Sequence, residues 1–246
     1  MTTLDNYLRK IYWKVFYFGR GYKVAEYYFS QSGEDHILSK VFENKLSQNK
    51  SGFYVDIGAY HPFEFSNTFY FYMRGWSGIN VDPTPGSMKL FNRLRERDQN
   101  LEMGISGKGG GYEMTFYDFG NSTMSSFDLD WIVKNGLNTD LCRQIRIKTY
   151  TLDELLDQYL PAQQEIDFLS IDAEGLTQEI YESINWDKYR PRVLVIEMEG
   201  RFMSDIRHEI EYFRMLGYDV IAKTTLNGPT GTVVLIDSSG NNLREL

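Results

Sequence analysis

Four short apolar runs in this chain each close on a carboxylate. They are Phe53-Tyr54-Val55 into Asp56, Ser77 to Val81 into Asp82, Ile166 to Ile171 into Asp172, and Arg192 to Ile196 into Glu197. Runs of this length, bounded by turn residues, read as buried strands. Helical patterns lie between and around them. Ile37, Leu38, Val41, Phe42 and Leu46 fall on one face, as do Met88, Leu90, Phe91 and Leu94, and later Leu152, Leu155, Leu156 and Tyr159. Strands that alternate with helices imply a mainly parallel sheet with right-handed crossovers. In such a sheet the carboxyl ends of the strands share one edge. Asp56, Asp82, Asp172 and Glu197 are therefore expected to line one crevice, with His61, Glu174 and Glu199 close by. Packed carboxylates repel one another, so they call for a cationic ligand, a metal or raised pKa values.

The stretch from Gly52 to Thr68, GFYVDIGAYHPFEFSNT, is the centre of this arrangement. It reads as strand, tight loop and helix start, the place where open α/β sheets hold nucleotide-like ligands. Gly58 lets the backbone approach a ligand. Tyr60 and Phe63 stand where the later glycines of a G-x-G-x-x-G loop would be, so a ligand with adenosine and no pyrophosphate fits better. Asp82 follows Asp56 at about 25 residues, the distance at which α/β binders place a ribose-holding acid.

The bulk numbers narrow the class. The 246 residues are most simply one domain, preceded by an arm over 1–28. A net charge of −8 speaks against a nucleic-acid partner. The single cysteine, Cys142, rules out an internal disulfide framework and a cysteine zinc site. No leader and no apolar span of about twenty residues is present, so a cytoplasmic protein is expected, and the acceptor motif Asn121-Ser122-Thr123 is discounted as a glycosylation site. The arm interleaves aromatic residues with Arg9, Lys10, Lys14, Arg20 and Lys23. Such a segment packs over the core or a second subunit as a homodimer contact, or lies on an anionic membrane surface.

Further along, Ser32 and Asp35 suggest a capping box, and Gln31, Glu34, Asp35 and His36 supply more polar groups than one cap needs. Ser66 to Arg74 and Gly86 to Asp98 read as helices, and Leu101 to Ser106 as a third strand. Tyr112 to Phe119 and Gln144 to Thr149 alternate as strands, while Asn121 to Asp140 reads as a loop or lid. Thr151 with Glu154 forms a second capping box. A helix is expected from Ser204 to Leu216, and Tyr218 to Lys223 with Thr232 to Asp237 suggest a closing hairpin turned at Asn227-Gly228-Pro229.

Four segments together resemble the FkbM family of S-adenosylmethionine-dependent methyltransferases. They are Phe53 to Ala59, Gly75 to Pro83, Tyr150 to Leu156 and Ile166 to Gly175, joined by Ser30 to Asp35 and His61-Pro62, which resemble a subgroup. The resemblance covers roughly Phe29 to Asp237. It implies a class I methyltransferase (Rossmann-like) fold, an α/β domain over 29–246 with a seven-stranded sheet whose last strand is antiparallel. It also implies methyl transfer from S-adenosylmethionine to a hydroxyl, often of a sugar or glycan acceptor. By resemblance Asp56, Gly58 and Ala59 hold the methionine part, Asp82 holds the ribose, and Ser106 lies near the adenine. The full candidate cofactor set is Gln31, Glu34, Asp56, Gly58, Ala59, Tyr60, Asp82, Pro83 and Ser106.

An alcohol needs a base or a metal to lose its proton. His61 is the first candidate base and Asp172 the second, with Glu174 as a further catalytic candidate. Asp172, Glu174, Glu197 and His61 also offer an oxygen-rich set for a magnesium- or manganese-like ion. Two alternatives stand beside this reading: an NAD-type oxidoreductase on a similar sheet, and a non-catalytic methyltransferase-like scaffold.

Overall fold

Strand periodicity divides the chain into two apolar layers with a sheet between them. In β1 (Phe53–Ile57), Phe53, Val55 and Ile57 face one way and Tyr54 and Asp56 the other. In β8 (Val193–Glu199), Leu194 and Ile196 join the first layer and Val193 and Val195 the second. The structure is a computed structural model, and it describes residues 27–120, 123–225 and 230–239.

The main sheet has seven strands in the order β3-β2-β1-β7-β8-β10-β9. Its other members are β2 (Ser77–Val81), β3 (Gln99–Leu101), β7 (Phe168–Ile171), β9 (Tyr218–Thr225) and β10 (Thr230–Asp237). The pairings from β3 to β8 are parallel, and β10 is antiparallel to both β8 and β9. The last strand is thus the antiparallel one, as expected.

Helices cover both faces. One face takes α6 (Leu152–Tyr159), α7 (Thr177–Glu182) and α8 (Arg207–Met215), through Leu155, Ile180 and Phe213 among others. The other takes α1 (Glu34–Val41), which runs into α2 (Glu43–Ser47), and α3 (Phe69–Tyr72), with Leu38, Phe42, Phe71 and Trp76 at its centre. Helix α4 (Met88–Leu94) packs Met88 and Phe91 onto Ala59. The expected capping box of α6 is present: Thr151 Oγ1 accepts from Glu154 N, and Glu154 Oε2 accepts from Thr151 N.

Several boundaries differ from expectation. Leu101 to Ser106 is not one strand: β3 ends at Leu101, and β4 (Gly104–Ile105) joins a second, three-stranded sheet with β6 (Arg143–Tyr150) and β5 (Tyr112–Asp118). The stretch expected as a loop carries α5 (Leu129–Lys134), capped by the Asp128 side chain on Asp130 N and Trp131 N. Ser32 does not cap α1. Its N-cap is Gly33, and Ser30 does the polar work instead, donating to Asp35 and accepting from Gly33 N and Asp35 N. Helices α3, α4 and α8 are shorter than read, because propensity does not fix ends to the residue. The hairpin turn at Asn227-Gly228-Pro229, Asn121 and Ser122 of the acceptor motif, and residues 1–26 of the arm lie outside the described residues. At the arm's end Tyr28 stacks on Tyr70, with 5.3 Å between ring centroids, and Phe29 meets Phe69 edge to face.

A buried arginine that composition does not flag fixes the loop after β1. Arg95 is fully buried and donates to Asp98 (2.8 Å), the Pro62 carbonyl (2.9 Å), Tyr54 Oη (2.8 Å) and Thr68 Oγ1 (3.0 Å). Thr68 Oγ1 in turn donates to Asp56 at 3.2 Å. Hydrogen bonds to charged groups in such networks are the stronger kind, because the low dielectric raises the cost of leaving them unmade. Thr68→Val is therefore expected to lower unfolding free energy by about 1–3 kcal/mol. A denaturant midpoint equal to the wild type's would refute that.

Candidate functional site

Sheet register gathers the site. One residue beyond the last paired positions Ile57, Val81, Ile171 and Ile196 stand Gly58, Asp82, Asp172 and Glu197. Across the antiparallel pairings, Glu197 is opposite Thr232, and Thr232 is opposite Thr224. A single row thus crosses six strands at the carboxyl edge: Asp82, Gly58, Asp172, Glu197, Thr232, Thr224. All six border one cavity of about 570 Å³. Parallel and antiparallel register place them there.

At the β2 end of the row, the Asp82 carboxylate is held by two backbone donors. Tyr60 N reaches Oδ2 at 3.1 Å and Thr84 N reaches Oδ1 at 2.8 Å. Burial raises its pKa, against those hydrogen bonds. Each oxygen keeps a lone pair for a ligand hydroxyl. Tyr60 sits at φ 49° and Phe65 at φ 55°, uncommon for side-chain-bearing residues. Both lie in the loop that Asp82 and Arg95 pin, where a ligand loop can store such strain. Met103, Ile105, Phe116 and Phe127 supply the apolar wall, and Trp131 and Asn135 of the α5 segment roof the cavity. That segment is the lid the sequence suggested, built on a helix.

In the middle of the row, three carboxylates meet. Oxygens of Asp172, Glu174 and Glu197 lie within 4.8 Å of one another. Burial raises all three pKa values, and repulsion from Asp172 adds to it for Glu174, which rises to about 9, and for Glu197, which rises well above the ordinary range, whereas a hydrogen bond with Glu197 opposes the rise of Asp172. Glu34 contributes a further negative charge beside Asp172, and its own carboxylate accepts from Ser32 N and from Thr224 Oγ1. The trio therefore shares protons at neutral pH or takes a cation such as magnesium.

This has a consequence for stability. The folded chain holds the Glu174 proton after the unfolded chain has released it. That contribution is complete below about 4.5, the ordinary value, and is lost as pH rises through about 9. The thermal midpoint is expected to fall across this window, and Glu174→Gln to flatten the fall. Identical pH profiles for the two proteins would show that Glu174 does not carry the linkage.

Of the residues expected at the site, Gln31, Glu34, Gly58, Tyr60, Asp82, Pro83, Asp172, Glu174 and Glu197 border the cavity. Four others do not. Strand β1 extends past Asp56, which is paired in the ladder with Asn80 and Ser170, two rows deeper than Gly58. Its carboxylate is buried against Thr68, with burial raising its pKa to about 6 and Arg95 opposing the rise. Ala59 is turned into the α4 contact. Ser106 is fully buried, its hydroxyl closing the turn onto Lys108 N and Lys108 O. His61 lies outside the cavity wall; its Nδ1 accepts from Glu64 N at 3.0 Å, its ring meets Phe63, and burial lowers its pKa. Glu199 is exposed and pairs with Lys134 of α5. The acids that remain for proton chemistry are Asp172 and Glu174. Thr224, Thr230, Gly231 and Thr232 are cavity residues that no motif announced.

Comparison with known proteins places the chain in a family. A family model described as the methyltransferase FkbM domain matches residues 56–220. No curated protein matches the chain. Among solved structures, the METTL16 methyltransferase domain is similar at 12% identity over 83% of this chain and 66% of that one, with a TM-score of 0.45. The N-terminal domain of human METTL16 is similar at 11% identity, over 83% and 69% of the two chains, also with a TM-score of 0.45. A precorrin-6y C5,15-methyltransferase from Geobacter metallireducens is similar at 13% identity, over 81% and 88%, with a TM-score of 0.39. The chain spans slightly less than two thirds of the first of these structures. The seven-stranded sheet with its one antiparallel strand is the class I, Rossmann-like methyltransferase fold. With the family model spanning β1 through the start of β9, the chain belongs to the methyltransferase FkbM domain family.

Proposed function

We propose that this chain is an S-adenosylmethionine-dependent O-methyltransferase whose acceptor is a hydroxyl of a sugar or glycan. The observation that carries the reading is the row Asp82–Gly58–Asp172 on the wall of one cavity. The residues suit the cofactor. Asp82 has free lone pairs for ribose hydroxyls, Gly58 leaves backbone bare beside it, and Met103, Ile105 and Phe116 offer an apolar face for a flat base. The acids at the row's centre suit the positive charge of a sulfonium and an ammonium group.

When bound, S-adenosylmethionine supplies a methyl carbon attached to a good leaving group. The protein's task is then alignment and proton removal. Gly58 and the aromatic side chains of Phe127 and Trp131 border the same cavity. The Asp172 carboxylate, with Glu174 beside it, would hold and accept the acceptor's O–H proton. A ribose acid also predicts the test. Asp82→Ala is expected to weaken S-adenosylmethionine binding by about 1–3 kcal/mol, the cost of unpaired ligand hydroxyls. Calorimetry that finds equal affinity in the variant would take Asp82 out of the site.

A further inference from the structure

We propose that the Glu197–Thr232–Thr224 end of the cavity, together with Gln31, is an acceptor subsite for a neutral, polyhydroxylated ring, and that it rejects acidic sugars. This rests on the reading of Asp82 as the ribose acid, which fixes the direction of the cofactor along the row.

Strand spacing measures the space. Neighbouring strands lie about 4.8 Å apart, so β2 to β7 is about 10 Å, and β7 to β10 is about 10 Å more. A nucleoside on Asp82 whose tail passes Gly58 brings its reacting carbon over the β1–β7 boundary, beside Asp172. The positions on β8, β10 and β9 then fall beyond the cofactor. They still border the same cavity.

Their chemistry is uncommitted. Among the described residues the Thr230 and Thr232 hydroxyls and the Gln31 amide have no hydrogen-bond partner, while Thr224 donates to Glu34 and keeps its acceptor lone pairs. Hydroxyls and an amide that both donate and accept match a ring carrying several hydroxyls. The ion pair of Lys134 with Glu199 ties α5 to the end of β8, and Trp131 of α5 gives this part of the cavity an aromatic wall.

Charge sets the selectivity. The described lining carries Glu34, Asp82, Asp172, Glu174 and Glu197 and no Lys, Arg or His. A carboxylate or phosphate on the acceptor would enter beside the Glu34 carboxylate and the proton-sharing trio of Asp172, Glu174 and Glu197, while the nearby Lys223 ammonium, against Gly231, is turned to the Gly200 carbonyl, and like charges in a desolvated site are strongly unfavourable. Uronic acids and sugar phosphates are therefore excluded at this end.

The test uses the full chain loaded with S-adenosylhomocysteine. Saturation-transfer NMR is recorded with a panel of methyl glycosides of neutral hexoses, with methyl glucuronide and with glucose 1-phosphate. Saturation of at least one neutral glycoside and of neither acidic compound is expected. The near-isosteric Thr232→Val combined with Thr230→Val should weaken the neutral glycoside by about tenfold, the loss of one to two hydrogen bonds, with S-adenosylhomocysteine affinity unchanged. The proposal is overturned if no neutral glycoside contacts a chain that binds S-adenosylhomocysteine, if the acidic compounds bind equally well, or if the double variant keeps full glycoside affinity. Failure of S-adenosylhomocysteine itself to bind overturns the methyltransferase reading, and this inference with it.

Discussion

Asp172→Asn should reduce methyl transfer by about 10²–10⁴-fold, the usual contribution of a general base. Asp172 is the central member of the row, one residue past the last pairing of β7, and its carboxylate lies against those of Glu174 and Glu197. Removing its charge leaves the shape of the site almost unaltered, so S-adenosylhomocysteine affinity should change little. That split between turnover and binding distinguishes proton chemistry from a fold defect. A chelator then separates the two ways in which the trio can act. If EDTA abolishes turnover and magnesium or manganese restores it, Asp172 is a ligand to a cation that acidifies the acceptor hydroxyl. If EDTA has no effect, Asp172 takes the proton directly, with Glu174 as partner. Full turnover in Asp172→Asn would move the base elsewhere in the cavity.

The carboxyl edge was legible in the sequence because parallel strands impose it. An apolar run that ends in an acid must deliver that acid near the edge, and Asp82, Asp172 and Glu197 arrive there. Asp56 shows the limit of that rule. Strand β1 runs on through Ile57, and this places Asp56 inside the ladder, where Thr68 takes its carboxylate and Arg95 stands close. Row membership turns on one or two residues at a strand end, and composition does not resolve that. His61 lies off the cavity wall for a different reason. The turn at Tyr60 to Glu64 folds the imidazole back onto the backbone, a local hydrogen bond that competes with any outward role. The threonines on β9 and β10 were invisible because their place depends on antiparallel register across three strands. Arg95 was hidden too. An arginine in a helical stretch reads as surface, and only its five-residue polar surround makes burial tolerable. Helix α5 was hidden by weak periodicity in a short segment, and the cap at Asp128 was its one sequence signal.

Gly58→Ala should eliminate cofactor binding, and it carries the largest structural effect of any single substitution in the row. Gly58 sits at φ 83°, and a Cβ there would lie 1.7 Å from the Asp172 carbonyl oxygen and 2.8 Å from its carbonyl carbon. The obstacle is backbone, so no rotamer relieves it. Gly58 N is bound to Val81 O at 2.9 Å and Asp172 N to Ile57 O at 2.9 Å. Relief therefore requires β1 and β7 to part where Asp82, Gly58 and Asp172 meet. Gly75 provides the control. It has φ 89° with no atom within 4 Å of a Cβ position, so Gly75→Ala carries only the left-handed dihedral cost of about 1–2 kcal/mol. Gly75→Ala should fold and bind S-adenosylhomocysteine normally with a modestly lower thermal midpoint. Gly58→Ala should either fail to fold or fold without measurable binding in calorimetry. Wild-type affinity in Gly58→Ala would mean that β1 and β7 can separate at no cost to the site, and the row would lose its standing as the cofactor floor.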